Sequence, residues 1–297
     1  MRLSRYVGNT PLIPLRLGGY TVWGKCEFMN PGGSVKDRMA TYILNDAEDK
    51  KLIKKGDTLV EATSGNTGIA FAMLAAERGY NMKIVMPCNM SEERKQMLKF
   101  YGAELIEVDA GDFDKAIVIR NNLAKSNKWF NCNQFHNPLN IEAHYTNTGP
   151  EINKQFREAN INEMSWPQAF VVGTGTGGTI MGCGRFLKEE FPGIELVAVE
   201  PAESAVMSGG EPGLHGIQGI GDGSKFLVDL NRINNIRTVP TECAKKAAKH
   251  LALKYGLFVG ISAGANVFAA FQYLRDNDKK TAITILCDRG ERYFSCL

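Results

Sequence analysis

The chain has 297 residues, with 35 Lys and Arg against 32 Asp and Glu, a formal net charge of +3, and 44% hydrophobic residues. That length suggests about two domains, and the apolar fraction supports a sizeable core. The charges are interspersed, which argues against a nucleic-acid or membrane-binding face; Lys50-Lys51 and Lys54-Lys55 read as solvated surface.

In chain order the patterns predict a strand at 21–27, a helix at 35–50, a strand at 57–61 and a helix at 67–78 closed by Gly79. A strand at 82–86, a helix at 92–101, a strand at 104–108, a helix at 113–126 and a short strand at 129–131 follow. The polar, Pro-containing stretch 133–140 (NQFHNPLN) reads as a domain crossing. Beyond it come a helix at 142–159, a strand at 169–172, a helix at 179–190, a strand at 195–199, helices at 242–255 and 263–276, and a strand at 282–287. This alternation implies an α/β fold of doubly wound parallel sheets covered on both faces.

The seven cysteines (26, 88, 132, 183, 243, 287 and 296) contain no C-x-x-C pair and have no histidine at ligand spacing. They read as free thiols in a reducing compartment, with neither a disulfide framework nor a metal site. The four histidines, 136, 144, 215 and 250, stand isolated and read as structural or surface residues. The N-terminus lacks an apolar signal core and no run approaches a membrane span. The expectation is a cytoplasmic protein with no nucleic-acid or membrane partner.

Three loops concentrate the chemistry. In Asn30-Pro31-Gly32-Gly33-Ser34-Val35-Lys36, a lysine opens a helix behind a Pro-Gly-Gly loop, with Ser34 as candidate N-cap. The helix dipole disfavours its ammonium form, and lysines so perturbed form Schiff bases with carbonyl groups. Taken alone it is an ordinary first-turn surface residue. The second loop, Ala62-Thr63-Ser64-Gly65-Asn66-Thr67-Gly68, follows a strand and leads into a helix. The third, Gly173-Thr174-Gly175-Thr176-Gly177-Gly178-Thr179, does the same. Hydroxyls, glycines and backbone N–H groups at a helix N-terminus make a cradle for carboxylate or phosphate.

Gly173, Gly175 and Gly178 also fit the dinucleotide pattern G-x-G-x-x-G, with Glu200 ending the next strand where a ribose-binding acid belongs. An NAD-dependent oxidoreductase is therefore a remote alternative. The pattern is weak in so glycine-rich a stretch, and this reading leaves Lys36, the Thr63–Gly68 loop and Ser262 without a role.

Taken in order, NPGGSVKDR, ATSGNTGIA, GTGTGG and GISAGAN resemble the pyridoxal-phosphate-dependent cysteine synthase/cystathionine β-synthase family, fold type II and O-acetylserine sulfhydrylase-like. The resemblance runs from Gly8-Asn9-Thr10-Pro11-Leu12 to the CDRGERY ending at 287–293. The ending is similar to B-type synthases, and the segments Ser208–Gly213 and Ile217–Gly221 to the A-type. It implies two doubly wound α/β domains with pyridoxal 5'-phosphate in the cleft between them. The smaller, mobile domain would be residues 36–140; the larger, cofactor-binding one would combine 1–35 with 141–297. It also implies a homodimer acting on a small amino-acid substrate.

In residues, the resemblance implies that Lys36 holds the cofactor covalently and then moves the substrate α-proton. Asn66 would bond the ring's phenolic oxygen. Gly175, Thr176, Gly177, Gly178 and Thr179 would hold the phosphate, and Ser262 would face the pyridine nitrogen. A neutral hydroxyl there leaves a weaker electron sink than a carboxylate does, which suits β-elimination and β-replacement through an aminoacrylate over transamination. Thr63, Ser64, Thr67, Gln134 and Gly219 would bind substrate. A serine or threonine dehydratase shares the fold, but the TSGNTG loop fits the β-replacement branch better. A catalytically dead regulator is disfavoured by the retained lysine.

One position departs from the family pattern. In the loop Gly219-Ile220-Gly221-x-Gly223, x is usually small or apolar, and here it is Asp222. Asp-Gly is ordinary turn chemistry. A carboxylate there would also repel hydrosulfide and could act as a general base on water. The leading expectation is therefore hydrogen sulfide production from L-cysteine and water, giving L-serine. The alternative is a cysteine synthase using O-acetylserine and sulfide.

Overall fold

The computed structural model describes residues 2–63, 65–159, 166–221 and 223–296. In chain order the elements are β1 (Leu12–Leu17), β2 (Tyr20–Lys25), α1 (Lys36–Asp49), β3 (Thr58–Ala62), α2 (Asn66–Arg78), β4 (Asn81–Pro87), α3 (Glu92–Phe100), β5 (Glu104–Val108), α4 (Phe113–Asn127) and β6 (Phe130–Asn131). These are followed by α5 (Leu139–Ala143), α6 (Gly149–Ala159), β7 (Ala169–Gly173), α7 (Gly178–Glu190), β8 (Glu195–Pro201), β9 (Asn235–Val239), α8 (Thr241–Tyr255), α9 (Ile261–Asp276) and β10 (Thr281–Ile285). No helix among the described residues is long and apolar enough to cross a membrane.

The chain forms two compact units, one of Met1–Val7 with Asn30–Asn140 and the other of Gly8–Met29 with Ile141–Leu297. The smaller unit thus takes in 1–7 and 30–35, which the sequence reading gave to the larger. Side-chain bonds account for this. Ser4 N donates to Glu77 Oε1 in α2 at 2.8 Å, and Gly32 N donates to the Asp37 carboxylate in α1 at 2.5 Å.

In the smaller unit the strand order is β5-β4-β3-β6, all parallel. The chain steps outward from β3 through β4 to β5, then returns to place β6 on the other side of β3. The reversal lies between β3 and β6. Such switch points, at the carboxyl ends of strands, are where open α/β sheets bind ligands. Leu59, Val60, Ala62, Ile84 and Val85 are fully buried along these strands, the continuous apolar runs expected of a parallel sheet covered on both faces.

The larger unit carries a six-stranded sheet in the order β1-β2-β10-β7-β8-β9. It is parallel from β2 to β9, with β1 added antiparallel at one edge. Its reversal lies at β7, where the chain runs to β8 and β9 on one side while β10 arrives on the other. The core here joins Val171, Val197 and Val199 of the strands to Ile261, Ala265 and Leu274 of α9.

The helix expected at 142–159 is interrupted. A π-helical turn spans His144–Thr148 between α5 and α6. Pro150 has no N–H to donate to the preceding turn, so the hydrogen-bond register slips there.

Candidate active site

In the smaller unit the candidate residues assemble from two directions. Arg78, at the end of α2, donates to Asn45 Oδ1 at 2.9 Å and Glu48 Oε1 at 3.1 Å near the end of α1. The two packed helices therefore run the same way, and Lys36 and Asn66 sit at the same end of the pair. Ser34 is not the N-cap expected of it: α1 begins at Lys36 with Val35 at the N-cap and no side-chain cap, because Val35 already takes helical dihedrals. Ser34 Oγ only accepts from Lys36 N at 3.3 Å. Lys36 itself is half-buried.

The second group forms at the β3/β6 switch point. Thr63 follows β3, and Gln134 lies three residues beyond β6, paired with β3 through Leu59–Phe130 and Val60–Asn131. Thr67 Oγ1 donates to Gln134 Oε1 at 2.6 Å, and Gln134 Nε2 donates to Ala62 O at 3.2 Å. Three of the expected carboxylate-binding residues thus share one corner; Ser64 lies outside the described residues. Sequence reasoning missed what supports this corner. Glu61 and Arg120, 0% and 1% exposed by side chain, form a buried ion pair at 2.7 Å. The same carboxylate accepts from Gln134 N at 2.9 Å and Ala62 N at 2.8 Å. Burial pushes the Glu61 carboxyl up, and the Arg120 guanidinium and the two amides oppose that rise. Arg94 is also buried, with its guanidinium against Gly65 at the start of α2, adding positive charge where an anion would bind.

In the larger unit Gly175–Thr179 leaves β7 at its switch point and opens α7. Gly177, the N-cap, sits at φ +87°, and no side chain caps the helix. A Cβ at Gly177 would come within 2.6 Å of Val228 Cγ2, so only glycine fits. Ser262 lies in the first turn of α9 and is buried. One turn later Asn266, fully buried, accepts from Gly173 N at 2.7 Å and donates to Ile285 O at 2.8 Å. Asn266 therefore pins the start of the Gly173–Thr179 loop beside the helix that carries Ser262. Nothing in the sequence pattern marked it beyond a polar residue on an apolar helix face.

Gly219 joins the same cluster through its neighbours. Gly221 N donates to Thr174 O at 3.0 Å, and Ile220 packs where a Cβ on Gly173 would lie. Asp222 lies outside the described residues. The dinucleotide alternative fails on geometry. The Glu200 carboxylate is buried and accepts from Met207 N at 2.7 Å, Ser208 N at 2.9 Å and the Ser208 hydroxyl. Both oxygens hold the 207–208 turn instead of standing ready for a ribose.

The donor set fits pyridoxal phosphate. A glycine-capped helix N-terminus with buried Thr176 suits a phosphate dianion. Ser262 offers a neutral hydroxyl to a ring nitrogen, and Lys36 offers a primary amine.

Comparison with known proteins agrees. Residues 3–288 match the family described as pyridoxal-phosphate dependent enzyme. The chain is 42% identical to a cysteine synthase of Staphylococcus aureus over 302 aligned positions, covering 99% of this chain and 95% of that one. It is 45% identical to cysteine synthase B of Campylobacter jejuni, covering 99% and 97%. Among solved structures, a hydrogen sulfide-producing enzyme from Fusobacterium nucleatum superposes with a TM-score of 0.93 at 39% identity, covering 99% of this chain and 90% of that one. The structure of an aspartate-to-asparagine mutant of that enzyme holds an α-aminoacrylate intermediate.

Proposed function

The chain belongs to the pyridoxal-phosphate-dependent enzyme family, and we propose that within it the protein releases hydrogen sulfide from L-cysteine and adds water at the β-carbon, giving L-serine. The broader activity, β-replacement on a small amino acid, is that of its cysteine synthase relatives. Bound pyridoxal phosphate supplies the electron sink through which the bonds at Cα and Cβ are broken. The chain's own residues do the rest. The Gly175–Thr179 amides hold the phosphate, Ser262 meets the ring nitrogen and Asn66 the ring oxygen. Thr63, Ser64, Thr67, Gln134 and Gly219 hold the substrate, its α-carboxylate at the start of α2. Lys36 Nζ takes the α-proton and later returns it to the same carbon. The sulfur leaves as hydrosulfide, and Asp222 takes one proton from the incoming water. That proton departs with the sulfide, so L-cysteine and water balance L-serine and hydrogen sulfide.

The observation that carries this reading is Asp222 itself, one residue after a glycine anchored to the strand-end that begins the phosphate loop. A carboxylate there favours neutral water over hydrosulfide as the entering nucleophile. The F. nucleatum mutant is a second support. The names of the 42–45% identical relatives favour the other reading, synthesis of cysteine from O-acetylserine and sulfide. A homodimer in the cytoplasm, with the smaller unit closing on substrate, completes the proposal.

The test is product analysis with L-cysteine alone. Sulfide with an equal amount of serine is expected, and Asp222→Asn should cut serine formation about a hundredfold, the scale of a lost general base. Pyruvate in place of serine would make the reaction simple elimination. Little sulfide, with brisk cysteine formation from O-acetylserine, would establish the cysteine synthase reading.

A further inference from the structure

The segment that follows β10 runs back along the approach to α9, the helix that carries Ser262. Gly290 N donates to Phe258 O at 3.1 Å. Val259 and Arg289 pair as an antiparallel bridge. Gly260, the N-cap of α9, donates its N–H to Asp288 O at 3.0 Å. Three successive residues before the helix are therefore held by three successive residues of this segment.

Side chains lock the same place. A Cβ on Gly260 would fall 2.1 Å from Asp288 Oδ1 and 2.6 Å from Tyr293 Cε2. Only glycine lets the carboxylate and the phenol ring close on the helix start. Tyr293 Oη donates to Asp288 Oδ2, and both residues are fully buried. The rest of the turn follows from Gly260. Ala263 N and Gly264 N donate back to Gly260 O at 3.1 Å and 3.3 Å. On the far side, a Cβ on Gly264 would fall 2.2 Å from Ala244 O of α8. Ser262 is buried between these two fixed points. Its hydroxyl stands one carbon from the backbone, so where this turn goes the hydroxyl goes.

We propose that Asp288 and Tyr293 are positioning residues for the cofactor ring: their bond clamps Gly260 and so sets the place of the Ser262 hydroxyl opposite the ring nitrogen. The inference rests on the assignment of Ser262 and deepens it. Apolar side chains could fill the same space without burying a carboxylate. The bonded pair instead gives the N-cap one permitted position. Its loss therefore falls on the contact to one ring atom, and a general loosening of the fold would not be so selective.

The experiment titrates the full-length protein with pyridoxal phosphate, and with an analogue that has carbon in place of the ring nitrogen, following absorbance. Ser262→Ala should weaken binding of the true cofactor about tenfold, and Tyr293→Phe, which keeps the ring and removes the donor, about fivefold. Asp288→Asn keeps an acceptor for the phenol and should stay within about twofold of the parent. In the Ser262→Ala background, Tyr293→Phe should cost less than about twofold more, and with the carbon analogue it should likewise cost less than about twofold. Independently of the cofactor, backbone amide exchange across 260–264 should quicken about fivefold in Tyr293→Phe. Losses that are equal for both cofactors, or that add in the double variant, would make the pair merely structural and overturn the inference. So would unchanged affinity in Tyr293→Phe beside a normal loss in Ser262→Ala. Unchanged affinity in Ser262→Ala is a different failure: it removes the assignment of Ser262 and the inference with it, while the exchange measurement still decides whether the pair clamps the turn.

Discussion

Replacing Arg120 by Met removes one half of the buried pair at the carboxylate corner. The Glu61 carboxylate would keep its bonds from Gln134 N and Ala62 N and lose the cation 2.7 Å away. Removing one partner of such a pair costs about 3–5 kcal/mol, because the remaining charge stays buried without compensation. That is a large share of the ~5–15 kcal/mol by which domains are stable. Glu61 can limit the loss by taking up a proton, and this gives the variant a signature. Burial pushes this carboxyl up, and Arg120 opposes the rise in the intact protein. Without Arg120 the folded-state value climbs further above the unfolded one. A carboxyl raised in the folded state contributes most below its unfolded value and loses that contribution as pH rises towards the folded value. Above pH 4.5, its ordinary value, the variant should lose stability with rising pH at up to about 1.4 kcal/mol per unit.

Urea unfolding of the parent, Arg120→Met, Glu61→Leu and the double variant at pH 5 and pH 8 measures this. The double variant should recover most of the stability, since apolar replacement of both partners is often neutral or stabilising. It should not recover substrate affinity, because Gln134 N has lost its acceptor and Gln134 is the residue Thr67 bonds. A raised KM with restored stability is the expected pattern. A loss below about 1 kcal/mol in Arg120→Met, or a pH slope no steeper than the parent's, would refute the argument that the pair is buried and carries the corner.

Gly177→Ala places a methyl group 2.6 Å from Val228 Cγ2 at a backbone φ of +87°; pyridoxal phosphate affinity, followed by absorbance titration, should fall at least about tenfold, as a shifted phosphate loop requires. The Glu48 carboxyl tells of acid stability: burial raises it, but the Tyr80 hydroxyl and the Arg78 guanidinium outweigh that and hold it below its usual value. Its contribution is present above pH 4.5, its ordinary value, and is lost as pH falls through the depressed folded one. Glu48→Gln should therefore flatten the acid limb of a Tm-against-pH curve while lowering Tm at neutral pH.

The strands that the sequence concealed are both edges. β1 contains Pro14 and β9 contains Arg237, residues tolerated where one side of a strand lacks a partner, and neither run has the apolar continuity of β7 or β8. The interior strands were legible because two covered faces demand Val, Ile and Ala throughout. The loops of the site were legible for a related reason: glycines and hydroxyls at strand-to-helix turns have few uses other than anion binding. The supports of those loops were not. Glu61, Arg120 and Asn266 read as ordinary solvent-facing polar residues in a one-dimensional pattern, and only the fold reveals that each is buried and bonded to a segment carrying candidate residues or their supports.

Four helices open at or beside candidate residues and share a defect, and the first of them, α1, begins after Val35 without a side-chain cap. α2, α7 and α9 begin after Gly65, Gly177 and Gly260, and none has a side-chain cap. α4 begins differently, with Asp112 accepting from Lys115 N at 2.9 Å, and the first amide of α8 is bonded by Glu203. Omitting a side-chain cap forfeits up to about 1 kcal/mol per helix, less where glycine stands in. Such a loss is retained where the orphaned amides meet a ligand instead. α2 and α7 also start at the switch points of their own sheets, where the strand order spreads the backbone apart. Each unit therefore presents, at the place its topology leaves open, a helix end whose amides an anion would complete. On the proposed assignment, a carboxylate at α2 or a phosphate at α7 would supply the missing cap, and occupancy would then stabilise the fold by mass action.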